Sequence, residues 1–343
     1  MIELALSRAE RLHVDLRTAA RRLVVVGANG SGKTSLVRAV AGTDRRPGDR
    51  VVVDGVDLAA LAPQDRALAL VATDPALAPR TPAAVVDLVL RGRVPRRADR
   101  ALRVAELLAA HGCAHLADRS VATLSGGERI RVAAARAAAV TPRLLLADEP
   151  LDRVAVPDRA AIRAQLTALA PRLLLATHSP DDVAAFADDV AVLSAGRVVQ
   201  LAPAYDVAAA PVDDHAAALV DRIGLVGTAR GDRVSLDGGG GEVTLASTAA
   251  GRVVVAVRCA AVALASEDPH GSARNVWRVA VASMVPLSTG VLRIGLAGRP
   301  ALVAEVTAKA AADLGLAVGL PVVASVKATE VGVVGAGAPA AGR

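Results

Sequence analysis

An eight-residue motif near the N-terminus constrains this chain more than any other feature. Residues 27–34 read GANGSGKT and match the pattern G-x-x-x-x-G-K-[ST], after an apolar run at 23–26 and before a helical pattern at 34–41. This order predicts a strand, a glycine-rich loop and a helix. The backbone N–H groups of such a loop, with the positive end of the helix dipole, close around phosphate groups. We therefore expect a site for the phosphates of a nucleotide.

Two side chains of the motif have distinct expected roles. Lys33 places a point charge on the β- and γ-phosphates, and the hydroxyl of Thr34 binds Mg²⁺. The residues predicted to surround the phosphates in this loop are Gly27, Asn29, Gly30, Ser31, Gly32, Lys33, Thr34 and Ser35.

A pair of carboxylates at the end of a second apolar run fits the same chemistry. The run 144–147 is followed directly by Asp148 and Glu149. Phosphoryl transfer depends mainly on positioning and charge stabilisation, so we expect Asp148 to hold Mg²⁺ and Glu149 to polarise the attacking water. His178 follows a third apolar run, 173–176, and is expected to contact the γ-phosphate. Glu149, His178 and Lys33 are thus the predicted catalytic groups.

Composition excludes several other classes of protein. A net charge of +6 over 343 residues, with one Phe, one Tyr and one Trp, offers neither a basic stripe nor stacking platforms for nucleic acid. The two cysteines, Cys113 and Cys259, have no metal-site spacing and are expected to be buried. No apolar run approaches the roughly 18–20 residues of a membrane-spanning helix, and residues 1–9 do not resemble a signal peptide. We expect a cytoplasmic protein that meets the membrane through a partner.

The remaining pattern divides the chain in two. Strand and helix signals alternate up to about residue 210, with a helical stretch at 85–110 interrupted at 91–97, and this alternation predicts a largely parallel, buried sheet. After about residue 215 helical periodicity fades. Short Val-rich strands and Gly-rich turns, such as that at 237–241, then predict a small β-barrel or sandwich.

A third motif identifies a family. Residues 124–128 read LSGGE and are followed by Arg136-Ala137, which closely resembles the signature of ATP-binding cassette (ABC) proteins. Together with the phosphate loop, the acid pair and His178, the resemblance covers roughly residues 1–210. It implies that Ser125 and Gly127 bind the γ-phosphate of ATP held by an opposite subunit. A homodimer that closes over two ATP molecules and opens after hydrolysis is thus expected, with ATP and Mg²⁺ as cofactors.

Several positions depart from the family pattern. Thr73 stands where the family has a glutamine that senses Mg²⁺ and the transmembrane partner, and the region 73–89 is where the family contacts that partner. Ala155 aligns with the aspartate of the loop after the acid pair, and Asp152 is a possible replacement. No aromatic residue precedes the phosphate loop, which leaves Leu12 or His13 to contact adenine. Ile130 replaces a common glutamine in the signature helix.

The region from 272 to about 331 resembles the molybdate-binding β module (Mop/TOBE type) that ends the ATP-binding subunits of molybdate importers. The matching pieces are 272–275 (SARN), 288–291 (STGV), 302–307, 314–316 and 325–329 (SVKAT). Oxyanion binding needs hydroxyl and N–H donors with a cation, and Ser272, Arg274 and Lys327 are the expected set.

Two departures leave a second reading of this module open. Val279 stands where the module has a small glycine, and Ala310 where it has a serine. A regulatory or dimer-stabilising barrel without bound oxyanion is the alternative.

The resulting expectation is an α/β P-loop ABC cassette at 1–215, with a β subdomain and a helical subdomain. A linker or β segment at 216–269, an OB-like β domain at 270–334 and a flexible tail at 335–343 follow. The expected function is ATP hydrolysis for uptake of molybdate or a related oxyanion, beneath a permease fed by an external binding protein. Sulfate, iron, polyamine or sugar as cargo is one alternative. An oxyanion-binding regulatory or storage protein with a degenerate ATPase is the other.

Overall fold

A computed structural model of the chain describes residues 1–8, 12–72, 81–269, 271–287 and 290–335. These form two compact units. The first unit contains residues 1–25, 29–177 and 193–198, and the second contains residues 26–28, 178–192 and 199–343. None of the helices in the described ranges is long and apolar enough to cross a membrane.

Up to residue 203 strands and helices alternate as the sequence predicts. The elements are β1 (Ile2–Ser7), β2 (His13–Thr18), β3 (Arg22–Val26), α1 (Lys33–Ala41), β4 (Arg50–Val53), β5 (Val56–Asp57), β6 (Leu68–Ala72), α2 (Pro82–Leu90), α3 (Arg97–Ala110), α4 (Gly126–Ala138), β7 (Leu144–Asp148), α5 (Val156–Ala168), β8 (Arg172–Ala176), α6 (Pro180–Phe186), β9 (Asp189–Ser194) and β10 (Arg197–Pro203).

A buried parallel sheet forms the centre of the first unit. Strand β8 pairs in parallel with β3 on one side and β7 on the other, and β6 pairs with the far side of β7. Leu145 and Leu174 in the middle of two of these strands are fully buried. This confirms the predicted parallel sheet. Because the carboxyl ends of parallel strands lie at one edge, the loops that follow β3, β7 and β8 emerge on the same side.

The first unit has two further parts, an antiparallel extension of the same sheet and a group of helices. Strand β1 pairs antiparallel with β2 and β4, which makes the small β subdomain that the family resemblance implies. Helices α2, α3 and α4 enclose an apolar cluster of their own, in which Val86, Leu108 and Val132 are almost completely buried. The predicted interruption at 91–97 is confirmed, since α2 ends at Leu90 and α3 begins at Arg97.

The elements after residue 203 are mainly strands. They are α7 (Ala204–Ala209), α8 (Asp214–Leu219), β11 (Arg222–Leu236), β12 (Glu242–Arg258), β13 (Ala263–Ala265), β14 (Asn275–Pro286), β15 (Val291–Ala297), β16 (Leu302–Thr307), α9 (Ala308–Asp313), β17 (Pro321–Val326) and β18 (Val331–Gly335).

Two sheets dominate this region, in the orders β11-β12-β18 and β13-β17-β14-β15-β16. The expected β architecture is confirmed, but the expectation of short strands throughout is wrong. β11 and β12 have 15 and 17 residues and form one long hairpin, in which the Val-rich end of β12 pairs with the first half of β11 from Arg222↔Arg258 outward. The predicted turn at 237–241 lies at its tip. The prediction also missed helices α8 and α9, which are too short to show a clear helical period.

A buried arginine ties the five-stranded sheet to the helices that precede it in the second unit. Arg293 in β15 is completely buried, and its guanidinium donates to Glu305 Oε1 from Nη2 at 2.6 Å and from Nε at 2.9 Å. The same group donates to the carbonyl oxygens of Ala208, Ala217 and Val220 at 2.9–3.2 Å. These carbonyls end helices α7 and α8, whose last C=O groups have no partner within the helix. Arg293 therefore fixes the sheet against both helices.

Candidate functional site

The phosphate loop has the backbone that the motif predicts. Strand β3 ends at Val26, and helix α1 begins at Lys33, with Gly32 as its N-terminal cap. Gly30 and Gly32 have φ angles of +81° and +108°, values that residues with a Cβ atom rarely adopt. The first turn of α1 contains no acidic side chain to compete with a phosphate for the helix N-terminus. The loop is thus built to receive an anion.

Lys33 and Thr34 lie beside the acid pair, which comes from a different strand. Lys33 is 6% exposed, and its Nζ lies 3.7 Å from Glu149 Oε1. The Thr34 hydroxyl donates to Asp148 Oδ1 at 3.3 Å. Four of the predicted site residues, 114 to 116 positions apart in the sequence, therefore meet at the end of the parallel sheet.

The two carboxylates have different local environments. Burial raises the pKa of Asp148, and the Thr34 hydroxyl and the nearby Arg38 and Lys33 oppose that rise. Glu149 has a φ of +47°, an uncommon value for a residue with a side chain, and its N–H donates to Ala176 O at 2.9 Å. Such strain is typical of functional positions whose side chain must be aimed. Asp148 thus resembles a cation ligand and Glu149 a positioned base.

The signature motif opens helix α4 with a capping box. Ser125 Oγ accepts from the N–H of Glu128 at 3.3 Å, and Glu128 Oε2 accepts from the N–H of Ser125 at 2.7 Å. That second bond is the main cause of the lowered pKa of Glu128. Gly126 packs so closely on the backbone of Arg153 that a Cβ there would overlap the Arg153 carbonyl oxygen. The absence of a side chain at Gly126 therefore allows the signature motif to pack directly on the backbone of the loop after the acid pair.

The other residues predicted to act in the cassette lie at the following positions. His178 is exposed and follows β8 by two residues. Leu12 is buried, whereas His13 is exposed and lines a cavity of about 450 Å³. Ala155 caps α5 without a side-chain hydrogen bond, and Asp152 is exposed in the turn before it.

Two further predictions concern residues 73–89 and the signature helix. Thr73 lies outside the described residues, as does the rest of 73–80. Ile130 is buried in α4.

The sequence reasoning missed two arginines of the first unit, the buried Arg66 and the half-buried Arg136. Arg66 donates to Val40 O at 2.8 Å, at the C-terminal end of α1. Arg136 of α4 donates to Leu70 O of β6 at 3.0 Å. Burial lowers the pKa of both guanidinium groups. No local pattern separates these arginines from the many exposed ones, because their partners are backbone carbonyls on distant segments.

The second unit places one predicted oxyanion residue in a cavity and the other two next to it. Lys327 lines a cavity of about 340 Å³ together with Ser325, Arg258 and Glu330. Ser272 and Arg274 are exposed on either side of Ala273, which lines the same cavity, but neither is itself part of the lining.

The other residues that carry the resemblance to the molybdate-binding module are either packed within the β region or outside the described residues. The amide of Asn275 is buried and exchanges two hydrogen bonds with the backbone of Thr244, at 2.6 and 3.1 Å. Val279 is buried in β14, and Ala310 lies in α9, where its N–H donates to Thr307 Oγ1. Residues 288 and 289 lie outside the described part of the chain.

Comparison with known proteins covers both regions. Residues 10–152 match the model of the ABC transporter family, and residues 271–333 match that of the TOBE domain. The molybdate/tungstate import ATP-binding protein of Pyrococcus abyssi is 32% identical over 317 residues, 90% of this chain and 91% of the relative. The molybdenum import ATP-binding protein of Mycobacterium tuberculosis is 34% identical over 349 residues, 94% of this chain and 93% of the relative.

Solved structures agree on the fold of the cassette. A dimeric post-hydrolysis ATP-binding cassette bound to ADP and phosphate superposes with a TM-score of 0.51 at 21% identity, over 59% of this chain and 98% of that one. This chain thus has the fold of an ATP-binding cassette and also contains a TOBE domain. The chain belongs to the family of ATP-binding subunits of ABC transporters.

Proposed function

We propose that this chain hydrolyses ATP to energise the uptake of molybdate or a related oxyanion. The observation that carries the proposal is the likeness to molybdate import subunits at 32–34% identity over at least 90% of the chain, which extends beyond the cassette into the C-terminal β region. A cassette alone is common to transporters of many cargoes, so the cargo inference depends on this full-length likeness.

The chemistry at the phosphate end of ATP would use the four clustered side chains. Lys33 and the loop N–H groups bind the β- and γ-phosphates. Thr34 and Asp148 offer oxygen ligands, the type that Mg²⁺ prefers, and the burial that raises the pKa of Asp148 favours a cation next to it. When bound there, Mg²⁺ neutralises charge on the phosphates. Both residues therefore fit a metal-assisted phosphoryl transfer.

Attack on the γ-phosphate needs an oriented water, and we assign Glu149 to hold it. The positive φ of Glu149 sets the direction in which its side chain leaves the backbone. Lys33 Nζ, 3.7 Å from Glu149 Oε1, attracts the carboxylate toward the phosphate loop. His178, at the end of the neighbouring strand β8, is proposed to contact the γ-phosphate. Ser125 and Gly127 are proposed to bind the ATP of a second copy of the chain.

The partners follow from this assignment. A homodimer would bury two ATP molecules, and each copy would dock under a permease subunit that is supplied by an external substrate-binding protein. The groove of about 690 Å³ between α2 and α3, with Ala84, Ala101 and Val104 on its walls, is the proposed permease contact. We propose a cassette at 1–215, with 216–269 and 270–334 forming the C-terminal β region.

The catalytic assignment is tested with Glu149→Gln. This change keeps the size of the side chain but removes the carboxylate, so we expect ATP turnover to fall by at least about 100-fold. ATP should then hold the dimer closed, which size-exclusion chromatography detects. Glu242→Gln is the matched control, because Glu242 is exposed on β12 and pairs only at the surface with Arg233. A wild-type protein without turnover, even with its permease, would instead indicate a nucleotide-binding regulatory or storage protein.

The cargo is tested separately, by calorimetric titration of the full chain with molybdate, tungstate and sulfate. We expect molybdate binding that Lys327→Gln weakens, because Lys327 is one of the two cations, with Arg258, that line the C-terminal cavity. An iron import subunit of Streptomyces avermitilis is 37% identical, but over only 62% of this chain. If no oxyanion binds and the assembled transporter takes up iron instead, the cargo proposal fails while the ATPase assignment stands.

A further inference from the structure

The cavity of about 340 Å³ in the second unit lies where strands β12 and β17 end and β14 begins. Lys327 follows the last residue of β17, and Ala273 lies just before β14, which pairs with β17. Arg258 is the last residue of β12, and it lies outside the residues 271–333 that match the TOBE domain. The cavity is therefore composite, with one part of its lining from the TOBE domain and the other from the end of the β11–β12 hairpin.

Two polar side chains on the TOBE side of the cavity lack a protein partner. Ser325 is 7% exposed, and within the described residues its hydroxyl makes no hydrogen bond. Lys327 is exposed, and in the same part of the chain no carboxylate lies at ion-pair distance from its Nζ. Polar groups that are nearly buried normally have a hydrogen-bond partner. An unpartnered hydroxyl beside an unpaired cation in one cavity therefore indicates an anionic ligand.

Arg258 brings further free donors to the same cavity. Among the described residues, the carboxylate at ion-pair distance from Arg258 is Asp221, whose Oδ2 lies 3.7 Å from Nε, too far for a hydrogen bond. Asp221 also lies 3.4 Å from Arg222 Nε, so two guanidinium groups share its charge. The five N–H donors of Arg258 are thus without an acceptor in the described ranges and can reach a ligand.

The chemistry of this lining fits a small, doubly charged oxyanion. A guanidinium group can donate two parallel hydrogen bonds to such an anion, and a lysine supplies a point charge. Arg258 and Lys327 together balance the two negative charges of molybdate, tungstate or sulfate. The cavity volume is near the lower end of the roughly 300–1,000 Å³ that is typical of ligand sites.

We propose that Arg258 is an oxyanion-binding residue of the C-terminal cavity and acts there with Ser325 and Lys327. It takes the role that the sequence motif assigns to Arg274, which is exposed and is not part of the lining. Glu330 also lines the cavity and limits the affinity, because its carboxylate repels a fully ionised anion. The inference rests on the proposed binding of an oxyanion by this chain, but the role of Arg258 can fail while that binding stands.

The test is calorimetric titration of the full chain with molybdate. Arg258→Gln should raise the Kd about 10- to 100-fold, the usual contribution of hydrogen bonds between charged groups. Arg258→Lys keeps the charge but not the planar fork, so it should recover part of the loss. Arg278→Gln is the matched control, since Arg278 lies on β14 of the same unit, is 76% exposed and pairs with Asp268 outside the cavity. Its Kd should equal that of the wild type.

Two further variants separate binding in the cavity from other effects. Arg274→Gln should raise the Kd by less than about threefold, because solvent and salt screen an exposed charge outside the cavity. Glu330→Gln removes the repulsive carboxylate and should lower the Kd about two- to fivefold. Opposite effects of Arg258→Gln and Glu330→Gln are expected for charges that face the anion, and damage to the fold would not produce them. Circular dichroism checks that each variant is folded.

Three results would overturn the inference while molybdate binding stands. An equal loss in Arg258→Gln and Arg278→Gln would mean that only the net charge of the chain matters. Normal binding by Arg258→Gln with a loss in Arg274→Gln would assign the site to the motif arginine. Weaker binding by Glu330→Gln would place the anion outside the cavity. A wild type that binds no oxyanion would overturn both this inference and the cargo proposal.

Discussion

The nucleotide site and the C-terminal sheet each place charged side chains inside the protein, but with different pairing. In the nucleotide site, Lys33 lies 3.7 Å from Glu149. In the C-terminal sheet, Arg293 is completely buried and reaches Glu305 at 2.6 Å, with three backbone carbonyls completing its hydrogen bonds. Charge-assisted hydrogen bonds in proteins are normally about 2.7–2.9 Å long. The Lys33–Glu149 distance is longer than that, and the shortest Arg293–Glu305 distance is slightly below that range.

The difference separates two uses of a buried charge. A pair at 3.7 Å between groups at the phosphate loop leaves space in which ligand oxygens and a cation can arrange themselves. A fully satisfied guanidinium such as Arg293 has no donor left for a ligand and instead joins α7, α8, β15 and β16. Changing residues in the first region should mainly affect ATP turnover, and changing residues in the second should mainly affect stability.

The largest effect is expected from Arg293→Met. Removing the guanidinium leaves the Glu305 carboxylate and three carbonyls without their donor, which should lower the free energy of unfolding by about 3–5 kcal/mol. Chemical denaturation followed by the fluorescence of Trp277, the only tryptophan, reports on this unit because Trp277 is buried in β14. ATP turnover of the folded variant should stay near that of the wild type.

The double variant Arg293→Met/Glu305→Met serves as the control for that measurement. It removes both charges and should recover part of the loss, since no carboxylate is left without its partner. A single variant destabilised by less than about 1 kcal/mol would contradict the structural role of Arg293. A large drop in turnover at unchanged stability would contradict the division between the two regions.

The same contrast explains what could be predicted from the sequence. Asp148 and Glu149 lie at the end of one apolar strand, and Lys33 and Thr34 follow another through the short glycine-rich loop 27–32. Parallel pairing of the strands therefore brings the four residues to one sheet edge. Arg293 could not be identified, because its partners are a glutamate twelve residues on and carbonyls more than seventy residues away.

Two features of the C-terminal β region also could not be predicted from the sequence. The motif residue Asn275 is engaged with the backbone of β12, and the full length of the β11–β12 hairpin depends on pairing between distant residues. A pattern read within one strand cannot show where its partner strand ends.

An intermediate effect is expected in the signature motif, where two adjacent glycines differ. A Cβ at Gly126 would overlap the Arg153 carbonyl, whereas a Cβ at Gly127 would meet only Asp158 and Ile162 atoms at 3.8 Å and Val154 at 4.0 Å. Gly126→Ala should therefore cost about 1–3 kcal/mol through overpacking. That corresponds to a loss of about 2–10 °C in Tm, measured by circular dichroism. Gly127→Ala should leave Tm unchanged or slightly raised.

Gly126 and Gly127 both belong to the motif that is proposed to contact ATP, so the two variants separate an effect on stability from an effect on turnover. Equal loss of Tm in the two variants would mean that the backbone contact with Arg153 does not constrain the motif. Loss of turnover in Gly127→Ala at unchanged Tm would support a role for Gly127 in contacting ATP of the second subunit.

The smallest effect is expected at the tip of the long hairpin, where Arg252 and Asp237 form two hydrogen bonds of 2.6 Å. Both distances equal the shortest one between Arg293 and Glu305, but the side chain of Asp237 is 49% exposed, so solvent screens the pair. Asp237→Asn should lower the free energy of unfolding at pH 7 by about 0.2–1 kcal/mol.

The contribution of this pair should also depend on pH. Arg252 holds the pKa of Asp237 below its ordinary value. The contribution is therefore complete above the unfolded pKa of about 3.9 and is lost as the pH falls through the lower folded pKa. Denaturation of both proteins between pH 7 and pH 2 should show the difference shrinking in acid. A difference as large as that of Arg293→Met would mean that short distance, and not burial, decides what such a pair contributes.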